Sequence, residues 1–194
     1  MTILEQAEQE ILALNPDPFY IPLGSWKPIV YGAFEALSKR NWVYCGHRAR
    51  LGGALRGCKT LRLLKPAEGA KPFKIAPSSL HPAHRALHAV GTALHTQKTT
   101  LCFLGTAALA HGSFYEALNI AALKNAPVVF LLVHHPLQGD APLTQQASNH
   151  PHAMAKAFGI RTHSIPATRE ATQKAVSEAA ESLQTTFIEI TLEN

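Results

Sequence analysis

Apolar residues form two kinds of run along this chain. Short unbroken runs at 100–104 (TLCFL) and 128–133 (VVFLLV) match strands buried on both faces. Further strands are expected at 42–44, 160–165 and 186–192. Between strands the period lengthens to that of a helix. Phe114, Ala117, Leu118, Ala121 and Ala122 share one helical face, Ser113 and Glu116 have the spacing of a capping box, and Pro127 closes the segment. A helix at 5–14 turns Ile11 and Leu14 inward and stops at Asn15-Pro16-Asp17-Pro18. Another spans 28–37 with proline in its first turn. One at 48–56 is weakened by Gly52 and Gly53, and one at 82–95 carries Ala83, Ala86, Leu87, Val90 and Leu94. Asn149 is placed to cap a helix at 151–158 ended by Gly159, and Thr168 to open one with Ala171, Ala175, Val176, Ala179 and Leu183 inside.

Strands alternating with helices predict an α/β chain with a three-layer, doubly wound parallel sheet. The two apolar strands around the 113–126 helix form its central right-handed βαβ unit. Ligands in such sheets sit at the carboxyl ends of the strands, here Gly105-Thr106-Ala107 and His134-His135. The 194 residues suit a single domain, 1–194, with a helix and linker at 1–23 and an irregular basic loop at 57–80.

Composition narrows the function. Apolar residues make up 46% and charged ones 16%, so a filled core is expected, with some surface covered by a partner. No apolar run approaches the roughly 20 residues that span a bilayer. Acids stand early in the chain where a secretory leader needs basic residues, and three cysteines cannot all pair. A reducing cytoplasm is the expected location. The net charge of +5 gathers in Lys39, Arg40, Arg48, Arg50, Arg56, Lys59, Arg62, Lys65 and Lys74, expected as a solvated face. Aromatics do not interleave with these charges as in single-strand binders, so nucleic acid is not the expected partner.

The obvious catalytic signatures are absent. The loop after Gly105 lacks a phosphate-loop lysine and the spaced glycines of a dinucleotide fold. Gly-x-Ser-x-Gly occurs nowhere, and Cys102 falls in a buried strand as an inert thiol. Eleven histidines include His81, His84, His88, His111, His134, His135, His150 and His152. Adjacent His134 and His135 point to opposite faces of a strand and should not share a metal. Hydrogen-bonded interior or interface roles are expected for the group.

The segment from Gly112 through Ser113, Phe114, Tyr115, Glu116, Ala117, Leu118 and Asn119 to Leu123, followed by Pro127-Val128-Val129-Phe130, resembles the alpha subunit of thiamin-diphosphate-dependent 2-oxo acid dehydrogenases of the pyruvate and branched-chain type. Asn41-Trp42-Val43-Tyr44-Cys45-Gly46-His47-Arg48-Ala49, the stretch from Gly159-Ile160-Arg161, and Phe187-Ile188-Glu189-Ile190 extend the likeness from Gly24 to Leu192. The resemblance implies the thiamin-diphosphate-binding fold. It also implies thiamin diphosphate and magnesium as cofactors and a beta-like partner subunit in a heterodimer or heterotetramer. That partner brings the glutamate that activates the cofactor.

In the family, magnesium on the diphosphate is gripped by the Asp of a Gly-Asp-Gly turn, an Asn of an Asn-Asn pair, and a carbonyl two residues on. The matching positions here are Thr106 between Gly105 and Ala107, His135 of the His134-His135 pair, and the Leu137 carbonyl. The interval from 106 to 135 keeps the family register. Magnesium prefers hard oxygen ligands, so a neutral hydroxyl and an imidazole nitrogen suit it poorly. Arg48 keeps the family's diphosphate-contacting arginine, while His47 replaces a tyrosine and Ser25-Trp26 a Gln-Glu pair. The stretch from Gly57 to Ser78 is short, and the sequence ends before the family's histidine-bearing loop.

The expected function is therefore an alpha-like component with an eroded magnesium-diphosphate motif, non-catalytic or altered, beside a beta-like partner. The alternative is an active 2-oxo acid decarboxylating component. In it, Arg48 and the backbone amides of Ala107, Ala108 and Leu109 hold the diphosphate, with a softer metal at His135.

Overall fold

A computed structural model describes residues 1–14, 22–65, 68–77, 81–134 and 143–192. Helices α1 (Ile3–Ala13) and α2 (Lys27–Ala36) precede strand β1 (Val43–Tyr44). A 3-10 helix (Ala49–Arg56), α3 (Thr60–Leu63) and α4 (His84–Thr96) follow. The centre is β2 (Thr100–Gly105), a 3-10 turn (Thr106–Ala110), α5 (Gly112–Leu123) and β3 (Val128–His134). Beyond it come α6 (Leu143–Gln146), α7 (Pro151–Ala157), β4 (Arg161–Ile165), α8 (Arg169–Ser182) and β5 (Thr186–Thr191).

All strand pairs are parallel, in the order β1-β2-β3-β5-β4. The chain leaves β3 for the far edge and returns with β5 to fill the gap. Alternation along the strands divides the core. Leu101, Phe103, Val129, Leu131, Ile188 and Ile190 pack with α1, α2 and α8 on one face. Cys102, Leu104, Phe130, Leu132 and Phe187 pack with α4, α5 and α7 on the other. The sheet is doubly wound in three layers, as the strand and helix periods predict.

The helix ends differ from expectation. No side chain caps α5, which starts at Gly112 with His111 as its N-cap, so Ser113 and Glu116 form no capping box. The N-cap of α7 is His150, not Asn149, and its side chain makes no cap bond. Thr168 does cap α8, accepting from the Ala171 amide. Helix α1 has the capping box that pattern reading missed, Thr2 with Glu5. Leu14 lies past its end and is exposed.

Packing faces also shift. In α8, Leu183 is exposed past the end and Thr172 is buried in its place. A Cβ on Gly32 of α2 would strike the Arg169 carbonyl and Thr172, so this glycine sets how closely α2 and α8 approach. In α4 the buried face holds Arg85, Ala86, Ala89, Val90 and Ala93, with Leu87 and Leu94 partly covered. The alanines let the helix sit low on the sheet.

The basic stretch is not a uniformly solvated face. Lys39, Arg40, Lys59, Arg62 and Lys65 are exposed, but Arg50 and Arg56 are buried. Arg56 donates from Nη1 to the Asn41 and Phe73 carbonyls at 2.8 and 3.0 Å and lies 5.2 Å from the Phe34 ring centroid. It ties the end of that 3-10 helix to the chain just ahead of β1 and to the turn at Phe73. Among the described residues of 57–80, α3, a 3-10 turn at Lys71–Phe73 and bridges from Ile75 to Val43 and Ala70 give more order than expected.

Candidate functional site

The register sets the site. Tyr44 pairs with Cys102 across β1 and β2, and Gly105 with Val133 across β2 and β3. Arg48 therefore lies four residues beyond the last β1 pair, and Thr106 follows the end of β2, both off the carboxyl ends of neighbouring strands. His134 ends β3, is half-buried, and accepts the Leu192 amide on its carbonyl at 2.9 Å. His135 and Leu137 lie outside the described residues.

Gly105 leads directly into the 3-10 turn that Thr106 begins. Thr106 is 3% exposed, and Ala108 and Leu109 are fully covered. The turn is clamped from α5: the Tyr115 hydroxyl donates to the Leu109 carbonyl at 2.7 Å and lies 3.6 Å from Met154 Sδ. Ala107 alone of 106–109 is exposed, so the amide row expected at Ala107, Ala108 and Leu109 is mostly packed inward.

The arginines give the neighbouring strand end its charge. Arg48 lies with Cζ 5.6 Å from the Trp26 ring centroid, and both are at least half-buried. His47 beside it is half-buried. Arg85, which the pattern did not flag, is buried and reaches from α4, donating from Nε to the Pro82 carbonyl at 3.0 Å. Its Nη1 would meet a Cβ on Gly46 at 2.5 Å, so Gly46 admits the guanidinium. Burial lowers the Arg85 pKa, with partial compensation from Cys102 and Cys45. No sequence signal marks Arg85, because it falls on the same face as the alanine stripe. Burial pushes the Cys45 thiol up to about 12 despite Arg56, Arg85 and Arg50 nearby. Cys102 rises to about 12 for the same reason, as an inert buried thiol should.

These groups do not fit a magnesium-bridged ligand. Where the resemblance places an aspartate, the structure holds a buried neutral hydroxyl in a clamped turn. Among the described residues the neighbouring strand end brings guanidinium groups and no carboxylate from residues 45–50. Cations repel a dication but attract an anion, and the asymmetry is strongest where burial limits screening.

Among the described residues the histidines fall into exposed and grouped sets rather than an interior set. His84, His88, His95 and His150 are exposed. His81 stacks on His84 at 3.9 Å between centroids and lies 4.1 Å from His111. Partial burial, then the His84 and His111 charges, hold the His81 pKa below its ordinary value.

A family model described as the dehydrogenase E1 component matches residues 75–191. The 3-methyl-2-oxobutanoate dehydrogenase subunit alpha of Mycobacterium tuberculosis is 35% identical over 180 residues, covering 82% of this chain and 47% of that protein. The chain belongs to the dehydrogenase E1 component family. Within it, the likeness is to the alpha-type subunits, as the segment around Glu116 implies. The chain spans about half the length of the curated relatives it matches.

Solved structures agree on the fold. Transketolase from Campylobacter jejuni superposes with a TM-score of 0.62 at 15% identity, over 87% of this chain and 32% of that one. Benzoylformate decarboxylase from Polynucleobacter necessarius gives 0.59 at 13% identity, over 84% and 32%. The fold is that of thiamin-diphosphate-dependent enzymes. No helix among the described residues is long and apolar enough to cross a membrane.

Proposed function

We propose that this chain is an alpha-type E1 subunit whose dication-diphosphate anchor has been lost. It pairs with a beta-type subunit as a non-catalytic or altered member of a 2-oxo acid dehydrogenase assembly in the cytoplasm. The observation that carries this reading is Thr106. It is 3% exposed at the head of a clamped 3-10 turn, where the family resemblance places the magnesium-binding carboxylate. The sheet beneath it is intact, so the change concerns the ligand set and not the frame. Fold and ligand set are separable, so an intact sheet is compatible with a subunit kept for assembly or regulation.

A second reading has its own support. Arg48 and Arg85 flank the carboxyl end of β1, and such a site suits an anion gripped directly. In that reading Arg48 holds the diphosphate of a thiamin-diphosphate-dependent 2-oxo acid decarboxylating component, without the dication.

Co-expression with an E1 beta-type subunit from the same organism tests both. A stable complex without 2-oxo acid decarboxylation, after addition of thiamin diphosphate and magnesium, is expected. Turnover that Arg48→Ala abolishes would establish the second reading instead, and failure to form any complex would refute the assembly role.

A further inference from the structure

We propose that His150, His152 and Glu189 form a binding site for a divalent transition metal of the zinc type. One ligand atom from each lies within 4.8 Å of the others. His152 Nδ1 stands 3.0 Å from Glu189 Oε2, and the His150 and His152 rings are 5.7 Å apart between centroids. A zinc ion with bonds of about 2.0–2.1 Å to nitrogen and oxygen holds its ligand atoms roughly 3.3 Å from one another. The His152–Glu189 edge is already near that length, and exposed His150 closes the triangle by rotating its side chain.

The backbone explains why these residues converge. His150 is extended at φ −60° and ψ 137°, and Pro151 opens α7 immediately after it. Two histidines at i and i+2 would share a face on a strand and diverge on a continuous helix. Here the bend at the proline turns both toward β5. Glu189 faces the same side as Phe187 and Leu132, and it is 5% exposed. A carboxylate buried to that degree needs a charged or hydrogen-bonding partner. A metal satisfies it and also holds both imidazoles.

The donor set selects the ion. Two imidazoles and one carboxylate suit zinc and its first-row neighbours, whereas magnesium prefers oxygen alone. With the His152 side chain 45% exposed, a fourth position is open to water. The site is distinct from the Thr106 turn. Leu104, Leu132 and Glu189 are aligned across three strands, which places Glu189 about 10 Å from the end of β2.

Titration of the chelator-treated full chain with zinc chloride, followed by calorimetry, tests the site. One zinc per chain at low-micromolar concentration is expected. His150→Ala should weaken binding by at least about 100-fold, more than the 10–100-fold typical of changes behind the ligands. It leaves the His152–Glu189 pair in place and, being exposed, should not move the thermal midpoint. Glu189→Gln should lose binding as well, while the double change His81→Ala and His111→Ala should leave it intact. No zinc uptake, unchanged affinity in His150→Ala, or loss of binding only with the His81 and His111 changes would each overturn the assignment.

Discussion

Arg48 lies over the indole of Trp26, its Cζ 5.6 Å from the ring centroid. The resemblance assigns Arg48 to diphosphate contact and Trp26 to a position usually acidic. The pair gives the guanidinium a partner inside the chain. Trp26 is 8% exposed, so Trp26→Ala should cost about 3–5 kcal/mol of folding stability. Arg48→Ala should cost less than Trp26→Ala, with loss of the cation–π contact alone contributing ~1 kcal/mol. Urea denaturation of both variants checks the ordering, and an equal loss would assign Arg48 another structural role.

Arg56 carries a larger structural burden than its place in a basic stretch implies. Its guanidinium serves three backbone carbonyls, those of Asn41, Phe73 and Ser38. Burial lowers its pKa, partly offset by Cys45, yet it stays charged at any working pH. Arg56→Met strands those acceptors and should destabilise the fold by about 2–4 kcal/mol. Arg40→Ala, at an exposed position, should fall within ~0.5 kcal/mol of the parent. Chemical denaturation of the two variants separates a buried anchor from a solvated face.

The apolar runs at β2 and β3 and the helical period of α5 were legible because burial on both faces leaves no polar position to confuse the pattern. Cys102 followed for the same reason. Side-chain capping was less legible: Ser113 and Glu116 have the right spacing, but the 3-10 turn from Thr106 makes His111 the N-cap. Arg50, Arg56 and Arg85 escaped because composition cannot tell a guanidinium packed inside the fold from one aimed at water. The site positions came from family resemblance, and the structure adds what surrounds Thr106 and Arg48. The grouping of His81 with His111 depends on the fold, since thirty residues of chain separate them.

The cysteines give a direct check on the core. Cys102 and Cys45 are buried with pKa values pushed up to about 12, and burial raises Cys58 as well. Native protein at pH 8 should therefore resist a maleimide or disulfide reagent, with all three thiols reacting after addition of denaturant. Rapid labelling of the native chain would contradict this packing.

The imidazole group at the start of α4 predicts a pH effect. The folded-state pKa of His81 is lowered, so the unfolded chain binds the proton more readily. Its contribution is present above the unfolded pKa, near 6.5, and is lost as pH falls through the folded value. The thermal midpoint should decline from pH 7.5 to pH 5, and His81→Gln should reduce that decline. An identical pH profile in the variant would remove His81 from the account.

The central claim is the loss of the magnesium-diphosphate grip at Thr106. Calorimetric titration of thiamin diphosphate with magnesium, into this chain alone and into its complex with a beta-type subunit, tests it most directly. The account predicts no binding heat in the micromolar range in either case. Micromolar binding that disappears when magnesium is withheld would contradict it.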